Sequence, residues 1–314
     1  MRNLILILTL ILLASCTKQE AMLSLDEQAR TDSLALHVAV LPAWSSLPVF
    51  YAEKTGLWDS AKVAVHVMPF EAQMDIDTAL INRHAEVATS DLIRALRLYD
   101  EQTPVKALLS VSEPLSLVAV KGKRVKQIHQ LKERMIAISR LCITDYWCEQ
   151  FIDSNGVARP DFYRPQVHNI KLRAEMLRTG LMDAALLPEP YSSWAVAAGN
   201  VLLRQTSEKD SRLAAWVIRK DAAESPLREE QLSRFMKAWE WAVEEINEGS
   251  RDDIVKTILH EEYGLPKEMA DTLVFPTLDK GSKPSRDDIE KAVQWLRGKK
   301  RLPSRVTADS LLLQ

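Results

Sequence analysis

The sequence is poor in the short motifs that carry chemistry. It has no Gly-x-Ser-x-Gly, no His-Glu-x-x-His, no Gly-rich phosphate loop and no Cys-x-x-Cys. The marks of a hydrolase elbow, a zinc protease, a nucleotide cradle and a thiol redox centre are therefore all missing. Its histidines, at positions 37, 66, 84, 129, 168 and 260, are scattered. His66 falls in a strand pattern and reads as a surface or packing residue, and neither a metal site nor a cofactor is expected. Neither sign of charge dominates: the formal net charge is −2, with basic and acidic residues interspersed and no basic face, so no nucleic-acid partner is expected. Beyond Leu13 there is no second long hydrophobic run, and a body outside the bilayer is expected. Cysteine is scarce, at three residues. Cys142 and Cys148 are six apart across a loop and a helix start, where a disulfide and buried free thiols both remain open.

The amino end reads as a targeting segment over residues 1–15. One basic residue, Arg2, precedes an apolar run from Leu4 to Leu13, too short for a stable span and of the right length for a signal peptide. It ends in Leu13-Ala14-Ser15-Cys16, which resembles a bacterial lipobox and implies lipidation of Cys16 and attachment to a membrane through that lipid. Residues 16–35 read as a polar tether.

From Leu36 onward, short apolar runs alternate with helical patterns, the signature of βα units around a mostly parallel sheet. Strands are predicted at His37–Leu41, Val63–Val67, Val87–Thr89, Val105–Val111 and Leu115–Val120. Helices are predicted at Pro48–Thr55, closed by Gly56, then at Ala72–Ile81 and Leu92–Leu98. Ser112-Glu113-Pro114 between two extended runs reads as a crossing between lobes, not a hairpin. A second block follows, with strands at Met135–Ser139 and Val167–Ile170 and a helix at Thr144–Ser154. The chain returns through Ala214–Arg219, and the remainder is helical. Ser225-Pro226 opens one helix that Gly249 stops, and Ser285-x-x-Asp288 is a capping box for the last.

The most compressed stretch is Gly180–Ala195, GLMDAALLPEPYSSWA. A short helix over Ala174–Thr179 stops at Gly180, and Asp183–Leu187 has room for one buried strand. Pro188 and Pro190 then bracket Glu189, neither being able to continue the strand, and Pro190 presets φ for a helix running through Trp194. Glu189 and Tyr191 are thereby placed at the carboxyl end of a strand and the head of a helix, where open α/β sheets bind ligands.

Three segments in this order resemble the substrate-binding proteins of ABC importers of the nitrate, sulfonate, taurine and thiamine-pyrimidine group: LPVFYAEKTGLW, EVATSDLIRAL and GLMDAALLPEPYSSWA. The resemblance runs from about His37 to the final helices. It implies an α/β, two-lobed type II periplasmic-binding-protein fold with two crossing segments, near Ser112–Pro114 and Gln205–Ala214, and with C-terminal helices packed on the first lobe. Lobe 1 would comprise residues 36–112 and 214–314, and lobe 2 residues 113–213. The implied function is that of a monomeric, lipid-anchored solute-binding component facing the periplasm or cell exterior, without catalysis, delivering a small molecule to an ABC permease and its ATPase. Ser139–Thr144, SRLCIT, departs from the small residues and glycine many members carry there, which leaves the shape of the ligand open.

Four strand-to-helix loops are expected to converge on a cleft: Pro42–Leu47, Thr89–Asp91, Leu141–Tyr146 and Pro188–Ser193. Helix N-termini offer unpaired N–H groups to a carboxylate, sulfonate or phosphate. The hydroxyls of Ser45, Ser46, Thr89, Ser90 and Thr144 supplement them, with Asp145 in the third loop. Asp91 and Glu189 would accept from an amino or amidine group, and Trp44, Tyr191 and Trp194 offer flat faces to a ring or a cation. Ser, Thr and Asp at such positions are usually helix caps alone, and core packing explains Trp194 equally well. Trp44, between Pro42 and Pro48, is harder to place in a core. Two other classes stay open beside the importer reading: an exported enzyme on the same fold, and a sensor or adaptor lipoprotein without a transporter.

Overall fold

The strands sort into two sheets in the computed structural model, which describes residues 34–156, 162–207, 210, 212–274 and 277–313. In chain order they are β1 (Leu36–Val40), β2 (Val65–Pro69), β3 (Val87–Asp91), β4 (Val105–Val111), β5 (Leu115–Ala119), β6 (Ile136–Ala137), β7 (Ala184–Pro188), β8 (Val201–Gln205) and β9 (Ala214–Arg219). The first sheet has the order β2-β1-β3-β9-β4 and the second β6-β7-β5-β8. Every residue of β7 and of β9 is buried, because helices cover both faces of each sheet and leave no solvent side for an alternating pattern. The leader and Cys16 lie outside the described residues.

β4 and β5 are three residues apart and belong to different sheets, so Ser112–Pro114 is a crossing, as the proline-centred pattern predicts. The expectation of a mostly parallel sheet is corrected. β9 runs antiparallel to both β3 and β4, and β5 antiparallel to both β7 and β8. The reason is topological: the chain leaves the first sheet at the carboxyl end of β4 and comes back at the same end, so the returning strand must run the other way. The carboxyl ends of β1, β3 and β4 consequently point across to those of β6, β7 and β8.

The longer helices are α1 (Leu47–Thr55), α2 (Gln73–Ile81), α3 (Leu92–Asp100), α4 (Ile143–Asp153), α5 (Ile170–Arg178), α6 (Tyr191–Ala197), α7 (Pro226–Glu248), α8 (Asp252–Glu261) and α9 (Arg286–Gly298). Gly56, at φ +74°, ends α1 in the left-handed conformation that a residue without Cβ adopts at no steric cost. The predicted strand Val167–Ile170 is not one. Asn169 instead caps α5, its side chain accepting from the Leu172 N–H at 2.8 Å; it also makes an isolated bridge with Ala72, and Gln166 just before the segment makes one with Ile138. Pro188 pairs with Leu115 as the last residue of β7, where the lack of an N–H costs nothing because the strand ends there. Cys142 and Cys148 are buried free thiols, not a disulfide.

The C-terminal helices pack on the first sheet's side, as expected. Phe235 of α7 stacks on Trp58 with centroids 5.3 Å apart and meets Trp216 of β9 edge-on at 5.9 Å. Tyr51 of α1 donates to Glu245 Oε2 at 2.9 Å. The last helix does more than cover. α9 packs on α3, yet its Trp295 Nε1 donates to Glu149 Oε2 of α4 at 2.9 Å and Lys299 Nζ to Glu149 Oε1 at 2.6 Å. It therefore bridges both halves of the molecule.

Candidate functional site

A cavity of about 90 Å³ lies where the carboxyl ends of the two sheets meet. At 10–15 Å³ per water-sized occupant it has room for about six to nine waters, or a ligand of comparable size. All four predicted loops reach it: Ala43 and Ser45 after β1, Thr89, Ser90 and Asp91 at the end of β3, Cys142, Ile143 and Thr144 at the head of α4, and Pro188 ending β7. Glu113 and Ala214 enter it from the two crossing segments.

The structure brings Ser45, Thr89, Ser90, Asp91 and Thr144 together on this cavity and keeps the other predicted residues off its lining. Trp44 is buried to 2 % exposure and belongs to the core, while its N–H donates to Glu189 O at 3.1 Å. Ser46 is fully buried at the head of α1. Asp145 turns back, accepting from Leu141 N–H at 2.9 Å and pairing with Arg164. Glu189 caps α6, accepting from the Ser192 hydroxyl and from Ser193 N–H at 3.2 Å. Tyr191 is fully buried and donates to Tyr263 O at 2.8 Å, while Tyr263 donates to Ala43 O at 2.7 Å. The first of these contacts ties α6 to the other half, and the second holds the loop after β1 within that half.

Two of the lining hydroxyls are occupied by the loops themselves. Thr89 Oγ1 accepts from Leu41 N–H at 3.1 Å, and Thr144 Oγ1 accepts from Ser139 N–H at 3.0 Å and donates to Ser139 O at 2.9 Å. Ser90 Oγ is buried and has no partner. Asp91 caps α3, one oxygen accepting from Ile93 and Arg94 N–H at 3.0 Å each. Burial pushes its carboxyl up to about 6, against the pull of the Arg94 charge.

Sequence reasoning passed over the lining residues Gln73, Glu113, Ser139, His168 and Arg173. Ser139 Oγ lies 2.9 Å from His168 Nδ1, whose ring is held below its usual range by burial and by the charges of Arg94 and Arg173. Glu113 had a visible signal: a lone acid in the crossing between two apolar runs. Ser45 N–H donates to its Oε2 at 3.0 Å, the Ser45 side chain and the Trp44 backbone also hydrogen-bond to it, and burial pushes its carboxyl up to about 7 against them. Arg173 had one too, since it shares the buried face of α5 with Ile170, Ala174 and Leu177. It is 2 % exposed, donates from Nε and Nη2 to Val167 O at 3.0 and 2.8 Å and from Nη1 to Leu186 O at 2.8 Å, and burial pulls it down to about 10.

Two mixed sheets, paired crossing segments and a cavity between them define the fold of the two-lobed periplasmic binding proteins. Solved members share it: the aliphatic sulphonate binding protein SsuA of Escherichia coli, with TM-score 0.74 and 13 % identity over 89 % of this chain and 92 % of that one; the alkanesulfonate-binding SsuA of Xanthomonas axonopodis pv. citri bound to MOPS, with 0.73 and 15 % over 88 % and 97 %; and the nitrate-binding NrtA of Synechocystis PCC 6803, with 0.74 and 13 % over 88 % and 83 %. No curated protein sequence matches the chain significantly. The NMT1/THI5-like family model matches residues 44–207, just over half of the sequence, and the chain belongs to that family.

Proposed function

We propose that this protein is the exported ligand-binding component of an ABC importer. It holds a small polar or heteroaromatic molecule of the sulfonate, nitrate or pyrimidine-precursor class between its lobes and presents the closed form to a permease. Lobe 1 comprises residues 36–112 and 214–314, lobe 2 residues 113–213, and a lipid on Cys16 keeps the assembly beside the membrane. The observation that carries this reading is the cavity between the two sheets, lined by loops from both and by the buried guanidinium of Arg173. The solved relatives with this fold bind sulfonates and nitrate. Binding is favoured over catalysis by the Ser139–His168 pair: the far nitrogen of His168 faces Gln166, not a carboxylate that could orient the ring as a base.

The test is a thermal-shift screen of sulfonates, nitrate and pyrimidines, followed by small-angle scattering with the best ligand. A saturable rise in melting temperature is expected, because a ligand that binds only the native state stabilises it. The ligand should be recovered unchanged and the radius of gyration should fall. A consumed ligand, or an unchanged radius, overturns the importer reading.

A further inference from the structure

A second surface stands at the end of the second sheet away from the cavity. Pro188 closes β7 on the cavity lining, and Asp183 precedes β7 at its other end, about 17 Å away at the rise of an extended strand. Asp183 is buried and organises this end. Lys123 Nζ donates to it at 2.8 Å, Arg134 pairs with it at 3.5 Å, and its own N–H donates to Met135 O at 3.1 Å. The expectation of no basic face is corrected here: residues 121–134 hold six lysines and arginines against Glu133 alone, on a chain whose formal net charge is −2.

Part of this charge serves the fold. Lys121 Nζ donates to Ala198 O at 2.9 Å just past the end of α6, and Lys123 and Arg134 neutralise Asp183. Arg124, Lys126 and Arg178 have no such role: all three are exposed, and their side chains make no ion pair among the described residues. The loop that carries the first two is fixed, with Val125, Ile128 and Leu131 buried beneath it and Gln130 Oε1 accepting from Lys126 N–H at 2.7 Å and Gln127 N–H at 3.0 Å. Beside it stand three large apolar side chains, Met135, Leu181 and Tyr163, which are 37 %, 61 % and 62 % exposed. Met135 and Tyr163 pair across a parallel bridge, and the bond from Asp183 N–H to Met135 O brings the turn with Leu181 alongside. Arg178, the last residue of α5, leads into the same turn.

A solvated loop accounts for the cations and not for the apolar side chains among them. Apolar tips within a ring of lysine and arginine suit an anionic bilayer, where the tips enter the boundary between headgroups and acyl chains and the cations meet lipid phosphates. A tyrosine, apolar in its ring and polar at its hydroxyl, suits that boundary. Going beyond the binding function, we propose that this end of the second sheet docks on an anionic lipid bilayer, with Tyr163 and Leu181 inserted and Arg124, Lys126 and Arg178 on the headgroups. The cavity lies at the opposite end of β7, so the contact leaves it clear of lipid.

Co-sedimentation of the full chain with vesicles of phosphatidylcholine, either alone or with about one-third phosphatidylglycerol, tests this. The two are compared as a ratio, in which any lipid on Cys16 contributes equally and cancels. At low salt, binding tenfold or more tighter to the anionic vesicles is expected, and the preference should approach unity near 1 M salt, where charges are screened within about 3 Å. Arg124→Glu with Lys126→Glu should remove most of the preference. Lys267→Glu with Lys283→Glu, the same change of net charge on exposed residues of the C-terminal region, should keep it. Tyr163→Ser with Leu181→Ser should weaken binding to the anionic vesicles at least fivefold, and an unchanged melting temperature shows each variant to be folded. Equal binding of the parent to both vesicles overturns the inference and assigns the surface to a protein partner. Equal loss in the two charge-reversed pairs overturns it in favour of net charge alone. The ligand screen reads the binding function separately, so either failure leaves that function standing.

Discussion

Glu113 and Asp91 both carry a folded-state pKa above the ordinary carboxylate range, about 7 and about 6, with burial as the leading cause. The folded protein therefore holds protons that the unfolded chain has already released, and stability falls as pH rises through the interval between the ordinary values and the raised ones. In ligand-free protein the melting temperature is expected to drop between pH 5 and pH 7.5. Glu113→Gln should flatten that slope and raise the melting temperature at pH 7.5, with a ceiling of about 3 kcal/mol that water reaching the cavity reduces. Acids with lowered values, such as Asp183 and Asp221, act in the opposite sense below the ordinary carboxylate range, and His168, lowered by burial, opposes the slope below its ordinary value, so the difference between parent and Glu113→Gln above pH 5 is the readout. A variant with the same slope as the parent in differential scanning calorimetry would assign the effect elsewhere. At this scale the sequence showed which loops matter and not which side chains. Ser45, Ser90 and Asp91 are where βα geometry puts them, whereas Trp44 was read from its prolines alone and turned out to pack in the core. The course of that loop depends on partners far along the chain, such as Glu189 O, which accepts from the Trp44 backbone N–H.

Among the elements, those with a local cause were legible. The helix closed by Gly56, the one opened by Ser225-Pro226 and the capping box at Ser285, whose hydroxyl accepts from Asp288 N–H at 3.0 Å, all rest on neighbours within a few residues. Elements defined by distant pairing were not. β8 is an edge strand, half-exposed along its length, and gives no buried run to find. Val167 is apolar like a strand residue, but Asn169 caps a helix there first. The antiparallel entry of β9 depends on where the chain returns from, which periodicity does not record. β9 and α7 meet through Phe235, which packs between Trp58 and Trp216. Phe235→Ala is expected to cost about 3–5 kcal/mol, read as a shifted denaturation midpoint with unchanged slope. A cost below about 1 kcal/mol would mean that the helical cover is not cooperative with the first sheet.

For the whole molecule, the two-lobed fold was read correctly from the order of elements, while the bridging role of α9 was not, since nothing in its amphipathic pattern marks a second surface. Glu149 is fully buried under it and receives Trp295, Lys299 and Arg164 together. Burial alone would raise its carboxyl, but the bonds from Lys299 and Trp295 outweigh that and hold it below the usual range. This clasp joins a helix packed on the first sheet's side to α4 of the other half. Trp295→Phe, which removes the N–H and keeps the ring, is expected to enlarge the ligand-free radius of gyration and to leave the ligand-bound one unchanged. A ligand-free radius equal to that of the parent would show that the cleft closes without it.

The strand order carries one more consequence. β9 lies between β3 and β4, and among the described residues β4 has no other strand beside it, only an isolated bridge from Ser110 to Ser282. A ribosome releases all of residues 112–213 before it makes the strand that joins those two, so the first sheet is sealed from its middle and last. Until then β3 and β4 wait with open edges, and the intervening lobe, whose own strands are complete by Gln205, is free to take shape before the part of the chain that precedes it.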